Sequence, residues 1–185
     1  AATADSGLVV AFAVGSGPAS IADGTNLTFT GAGSVSIVAS QGGNGNWNAA
    51  APVTNTFNVT KAAGQVFLLD LAQTYDGTAQ TVTATTMPAG LTVEITYDGS
   101  ASAPTNAGSY AVTGTINDVM YQGSATDTLV IGKASATVTL GSLSQTYDGT
   151  PKAATATTDP VGLTVDFTYD GSATAPTVAG SYAVT

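Results

Sequence analysis

Residues 61–113 of this chain realign with residues 133–185 at a constant offset of 72, without a gap. QTYDGT at Gln73–Thr78 returns at Gln145–Thr150. LTVEITYDGSASAPT at Leu91–Thr105 returns as LTVDFTYDGSATAPT at Leu163–Thr177, and AGSYAVT at Ala107–Thr113 returns unchanged at Ala179–Thr185. A duplication of that length makes the chain an array of small, similar folding units, each able to bury only a modest core. Units of this size rarely hold a complex active site, so the expectation moves from an enzyme toward a modular binding or structural protein. The spacing predicts three modules, residues 1–60, 61–132 and 133–185.

The residue inventory narrows the chemistry further. There are three lysines, no arginine, no histidine and no cysteine, against twelve acidic residues and a net charge of −9. The usual general base, the usual nitrogen and sulfur metal ligands and the thiol nucleophile are therefore missing. Without arginine there is no bidentate clamp for phosphate or carboxylate. So acidic a chain lacks the cationic surface that nucleic acid requires. Secreted eukaryotic domains of this size usually carry disulfides, so a cysteine-free secreted β-protein fits a bacterial source better. Charged residues make up only 8% of the chain, a composition suited to an uncharged β-rich surface outside the cell. No apolar run approaches the ~20 residues of a membrane-spanning helix. The opening AATADSG is what signal cleavage or an arbitrary cut would leave.

The hydrophobic period is two. Leu91, Val93, Ile95 and Tyr97 alternate with Thr92, Glu94, Thr96 and Asp98, and the second copy keeps the phase with Leu163, Val165, Phe167 and Tyr169. Such alternation predicts strands with one buried and one wet face. It recurs at Val10, Phe12 and Val14, at Leu27 and Phe29, at Val35 and Ile37, and at Tyr110, Val112 and Ile116. No stretch reads as helix. Short strands at intervals of about ten residues, punctuated by Gly, Pro, Asn and Asp, indicate immunoglobulin-like β-sandwiches.

The first module parallels the middle one in its closing half. AGS at Ala32–Ser34, NGNWN at Asn44–Asn48 and TFNVTKA at Thr56–Ala62 match AGS at Ala107–Ser109, NDVMYQG at Asn117–Gly123 and TLVIGKA at Thr128–Ala134. Trp47 and Tyr121 each fall in a polar turn, and Lys61 and Lys133 mark the junctions. No flexible linker separates the modules, which predicts a stiff, elongated array. Both ends read as incomplete, the first module by about 14 residues and the third by about 20. Either the segment belongs to a longer array, or a neighbouring subunit supplies the missing strand by β-augmentation.

The pattern YDGT, PxGLTVxxTYDGS, APTxAGSYAVT, closing on a strand and a Lys-Ala junction, resembles the MBG-type bacterial immunoglobulin-like repeats. The resemblance covers residues 61–133 in full and 134–185 as a shortened copy, while GAGSVSIVASQGGNGNWNAAAPV resembles the second half of another bacterial Ig-like type. Such repeats stand in tandem in very large bacterial surface proteins, commonly adhesins. The resemblance implies an extracellular, stalk-like or adhesive role and carries over no catalytic residues.

Candidate ligand positions are few. Four Tyr-Asp-Gly triplets begin at Tyr75, Tyr97, Tyr147 and Tyr169. Asp-Gly is first a turn signal, with the tyrosine packing at the edge of the core. The functional alternative is sugar stacking on Trp47, Tyr97 and Tyr169. Asp70, Asp118 and Asp127 lie near module ends and are candidates for an interdomain calcium, although no calcium-loop motif is present and the acids are dispersed. A lysine-based crosslink needs a recurrent lysine, yet Lys152 aligns with Gln80. Glu94 and Asp166 occupy equivalent solvent-side positions with no sign of a paired carboxylate. Thr-rich runs at Thr81–Thr86 and Ala154–Thr158 read as β-propensity, and the acceptor triplets at Asn26 and Asn58 are weak glycosylation signals.

The sequence thus predicts an all-β chain of tandem Ig-like β-sandwich domains in an elongated array. Its expected role is as a stalk or fibre segment of an extracellular bacterial surface protein, without catalysis or a resident cofactor. Expected partners are neighbouring repeats, further copies through head-to-tail or donor-strand contacts, and, on the alternative reading, a surface glycan.

Overall fold

A computed structural model describes residues 2–185, and the chain divides into two compact units, residues 1–132 and 133–185. Among the described residues there is no helix, and none long and apolar enough to cross a membrane. The chain is all-β.

In residues 1–60 the strands are β1 (Ala11–Ser16), β2 (Ala19–Ala22), β3 (Asn26–Phe29), β4 (Gly33–Gln41) and β5 (Ala50–Val59). β4 is central in an antiparallel sheet of order β1-β4-β5, and β2 and β3 form a hairpin. Val35 on β4 is fully buried. The β4–β5 turn is NGNWN: Asn44 Oδ1 accepts from the amides of Asn46 and Trp47 at 2.9 and 3.0 Å. An asparagine side chain bonding two and three residues ahead is the local chemistry that makes Asn a turn former.

The rest of the first unit holds β6 (Ala62–Ala63), β7 (Gln65–Leu69), β8 (Ala72–Thr74), β9 (Thr83–Met87), β10 (Val93–Tyr97), β11 (Gly108–Ile116), β12 (Tyr121–Gln122) and β13 (Ser124–Gly132). A four-stranded sheet of order β10-β11-β13-β8 faces the β7–β9 pair, and β6 pairs with β12. The alternation along β11 and β13 directs Val112, Ile116, Leu129 and Ile131 inward, where they are at most 5% exposed. Val82, Tyr97, Val112, Leu129 and Ile131 form the core, with Leu68, Leu71, Ile95 and Tyr110 packed against it. The faces approach closely at Gly114, where a Cβ would stand 3.0 Å from Leu68 and 3.2 Å from Val66 and Val93. Glycine suits this close approach, since a Cβ there would require the neighbouring side chains to shift by a few tenths of an ångström.

The second unit repeats this construction. Its strands β14 (Thr137–Gly141) and β15 (Thr155–Asp159) pair as β7 and β9 do, with Thr137 opposite Asp159 where Gln65 is opposite Met87. A cis proline follows each pair, at Met87-Pro88 and Asp159-Pro160. Gln73 Nε2 donates to the carbonyls of Asp70 and Thr81, and Gln145 Nε2 to those of Ser142 and Ala153. The predicted strand through Leu163 and Phe167 keeps its burial phase only from Val165 on, since Leu163 is exposed: Tyr169 is buried and bridges Val184, while residues 163–168 join no ladder. In the first copy Val93, Glu94 and Ile95 pair with Ile116, Thr115 and Gly114, and the positions aligned with those three lie past residue 185.

Candidate functional site

The Tyr-Asp-Gly triplets are two different structures. At Tyr97 and Tyr169 the triplet closes a two-residue hairpin. Tyr97 N and O bond Ser100 O and N at 2.7 and 2.8 Å, with Asp98 and Gly99 both at positive φ, 47° and 82°. Asp-Gly is the pair that this mirror-image turn favours. The Asp98 carboxylate accepts from the Ala111 amide at 2.8 Å, and Asp170 from Ala183 at 2.9 Å. Tyr97 is 6% exposed and its hydroxyl accepts the Val82 N–H at 2.8 Å. Tyr169 is equally buried, and its hydroxyl accepts the Ala154 N–H at 2.8 Å. These hydroxyls staple a loop to the strand end across the core. Tyr97 and Tyr169 are thus each 6% exposed, with the hydroxyl committed to a backbone amide.

At Asp76 and Asp148 the carboxylate itself makes the turn. Asp76 Oδ1 accepts from Thr78 N at 2.8 Å, Thr78 Oγ1 at 2.7 Å and Gln80 Nε2 at 2.6 Å. The Thr78 hydroxyl, then the Thr78 amide, hold this carboxyl below its ordinary value of 3.8. In the second unit Lys152 replaces Gln80 and forms an ion pair with Asp148. The Lys152 ammonium is the main cause of a still stronger depression of the Asp148 carboxyl, ahead of Thr150. Lys152 is thus a surface partner of a turn carboxylate, and Lys61 donates to the Asp118 carbonyl at 2.7 Å.

The remaining candidates are dispersed. Trp47 is 56% exposed on its turn. Asp118 Oδ1 accepts from the Met120 and Tyr121 amides, Asp70 Oδ2 from the Thr83 hydroxyl, and Asp127 Oδ1 from the Thr128 amide. Asp118 shapes its own turn, Asp70 reaches across to Thr83 of β9 and Asp127 lies within β13, and among the described residues no three acidic side chains gather as a metal site would need. Glu94 accepts from Asn117 Nδ2 at 2.7 Å on an exposed face.

One concavity was not apparent from residue motifs. In the second unit a cleft of about 470 Å³ opens along Leu143, Tyr169, Ala179, Tyr182 and Val184. Its signal lay in the duplication: these positions align with Leu71, Tyr97, Ala107, Tyr110 and Val112, which are covered in the first copy.

Fold and geometry together define a tandem β-sandwich repeat protein whose turns and loops are held by the same side-chain bonds in each copy. The MBG domain model matches residues 64–135 and again 136–185, and the chain belongs to that family. MBG domains are structural repeats of bacterial surface proteins. Neither a curated protein nor a solved structure matches the chain.

Proposed function

We infer that the chain is a shaft segment of an extracellular bacterial surface protein, adhesin-related, whose repeats convert sequence length into reach. The observation that carries this reading is the reproduction of one bonding scheme in both copies. The tyrosine staple, the glutamine clasp, the carboxylate turn and the strand register recur at the same offset. A reaction centre would differentiate one copy, whereas a spacer benefits from repeating it.

The composition supports the same role. Threonine, serine and dispersed aspartates keep strand faces wet, and a net charge of −9 opposes lateral clumping. The junction between β13 and β14 is four residues, Lys133–Ala136, too short for a freely jointed linker. Neighbouring repeats are then the first partners of the modules taken as 1–60, 61–132 and 133–185. Trp47 is the one aromatic of the glycan reading that stands open to solvent, and on its own it favours a contact residue over a binding pocket.

Small-angle scattering tests the shaft. A single globule of 185 residues would have a radius of gyration of about 16 Å. The expected result is a clearly larger radius and a pair-distance distribution with the long tail of a rod. A radius near the globular value would overturn the reading.

A further inference from the structure

Three consecutive carbonyls of one loop are bonded from three different places. The loop Asn117–Met120 joins β11 to β12. Lys61 Nζ donates to Asp118 O at 2.7 Å, Ala32 N to Val119 O at 3.0 Å and Ala62 N to Met120 O at 2.8 Å. Lys61 and Ala62 stand at the junction after β5, whereas Ala32 belongs to the turn between β3 and β4, inside residues 1–60. The loop therefore takes bonds from the module before it and from the junction at once. Gly64 N continues the lacing to Gln122 O at 2.8 Å.

The loop is shaped by its own residues. Asp118 Oδ1 accepts from the Met120 and Tyr121 amides at 2.7 and 2.9 Å, which turns the chain so that the three carbonyls point outward in succession. Its other end is tied down where Asn117 N donates to Thr92 O at 2.9 Å and Asn117 Nδ2 to Glu94 at 2.7 Å. In the NGNWN turn Asn44 likewise accepts from the amides two and three residues ahead, so the brace belongs to the turn and not to the docking contact. The receiving turn is built for close approach. Gly31 is buried, and a Cβ there would stand 3.3 Å from Pro18 and 3.9 Å from Val119. Beside the bonded strip lies a cleft of about 530 Å³ between Pro18 and Thr30 on one side and Asn117 and Val119 on the other, and Val119 is 64% exposed. Directed main-chain bonds, not a shared apolar core, hold the two modules at this place.

We propose that Asn117–Met120 is a docking loop for the preceding module and that its three carbonyls fix the angle between residues 1–60 and 61–132. The partner it fits is a β-sandwich that offers a free backbone N–H beside a side-chain-free position, as Ala32 and Gly31 do. Asp118 is the positioning residue, because its carboxylate sets the loop that presents the acceptors. The inference goes beyond the shaft reading and does not depend on it, since it concerns one joint within the first unit.

The test measures residual dipolar couplings of the isotope-labelled full chain in a weakly aligning medium. In the unaltered protein the amides of β4 and β5 and those of β11 and β13 are expected to fit one alignment tensor. Asp118→Ala removes the brace and Lys61→Met removes one donor. In each variant the two sets should require separate tensors, differing about twofold in magnitude, as for modules that move independently. Asp118→Asn keeps an acceptor in place and should retain the single tensor. Asp118 and Lys61 lie outside the core, and unchanged amide shifts in β4 and β11 verify that each module stays folded. Two tensors in the unaltered protein, a single tensor in either loosened variant, or Asp118→Asn behaving as Asp118→Ala would each overturn the proposal. A globular scattering radius, by contrast, would overturn the shaft reading and leave this joint standing.

Discussion

Position 80 and position 152 ask the same question of two side chains. Both reach the carboxylate of a Tyr-Asp-Gly-Thr turn, Gln80 as a neutral donor to Asp76 and Lys152 as a cation on Asp148. Charge is the variable that differs most between the two sites, so exchanging the residues should exchange the titration behaviour. In Lys152→Gln the Asp148 carboxyl is expected to titrate at higher pH, close to Asp76. In Gln80→Lys the Asp76 carboxyl should move lower. Both follow from side-chain carboxyl chemical shifts in an NMR titration. The sign for stability is that of any depressed acid. The contribution is present above the ordinary carboxyl value of 3.8 and is lost as pH falls through the lower folded value. An unmoved Asp148 midpoint in Lys152→Gln would show that Thr150 alone sets it.

Strand by strand, legibility followed periodicity. β10 and β11 were readable because one face is buried and the other wet, so Val93, Ile95 and Tyr97, or Tyr110, Val112 and Ile116, stand an even number of residues apart. β7 was not, because QVFLL is apolar on both faces: Val66 is buried, yet Phe67 and Leu69 are 48% and 45% exposed. β8 escaped notice for another reason. Its three residues gain strand form from parallel pairing with β13, more than fifty positions away, and local sequence carries no trace of that. The triplets show the same limit at a candidate site. Tyr75 is 40% exposed and Tyr97 6% with identical triplets. The distinguishing signal was the alternating run before Tyr97, which places its triplet at the end of a core strand. Gly114 puts the sandwich itself to the test. Gly114→Ala drives a methyl into Leu68, Val66 and Val93, and overpacking of this kind costs about 1–3 kcal/mol. Chemical denaturation should show that loss. An unchanged midpoint would mean that β7 yields freely and does not close the core.

Taken together, the two units share a bonding scheme but not a degree of burial, and this separates their stabilities. Of the nine buried apolar side chains among the described residues, Tyr169 lies in residues 133–185 and the other eight are in the first unit. Hydrophobic burial is the main favourable term in folding, at roughly 25 cal/mol per Å² of apolar surface removed from water. A unit with one buried apolar side chain and a two-stranded ladder therefore stands far below one with a closed sandwich. Side-chain clasps at Gln145, Tyr169 and Asp148 order its loops, but they do not substitute for buried apolar area, since each hydrogen bond contributes only about 1 kcal/mol net. The chain should thus unfold in two steps. Amide exchange followed by NMR should find β10, β11 and β13 opening only with the first unit as a whole, while amides at Thr155–Asp159 and Thr168–Asp170 exchange through a much cheaper opening. A single cooperative transition, with equal protection in both units, would refute the assignment of separate stabilities and require that the two copies share one core.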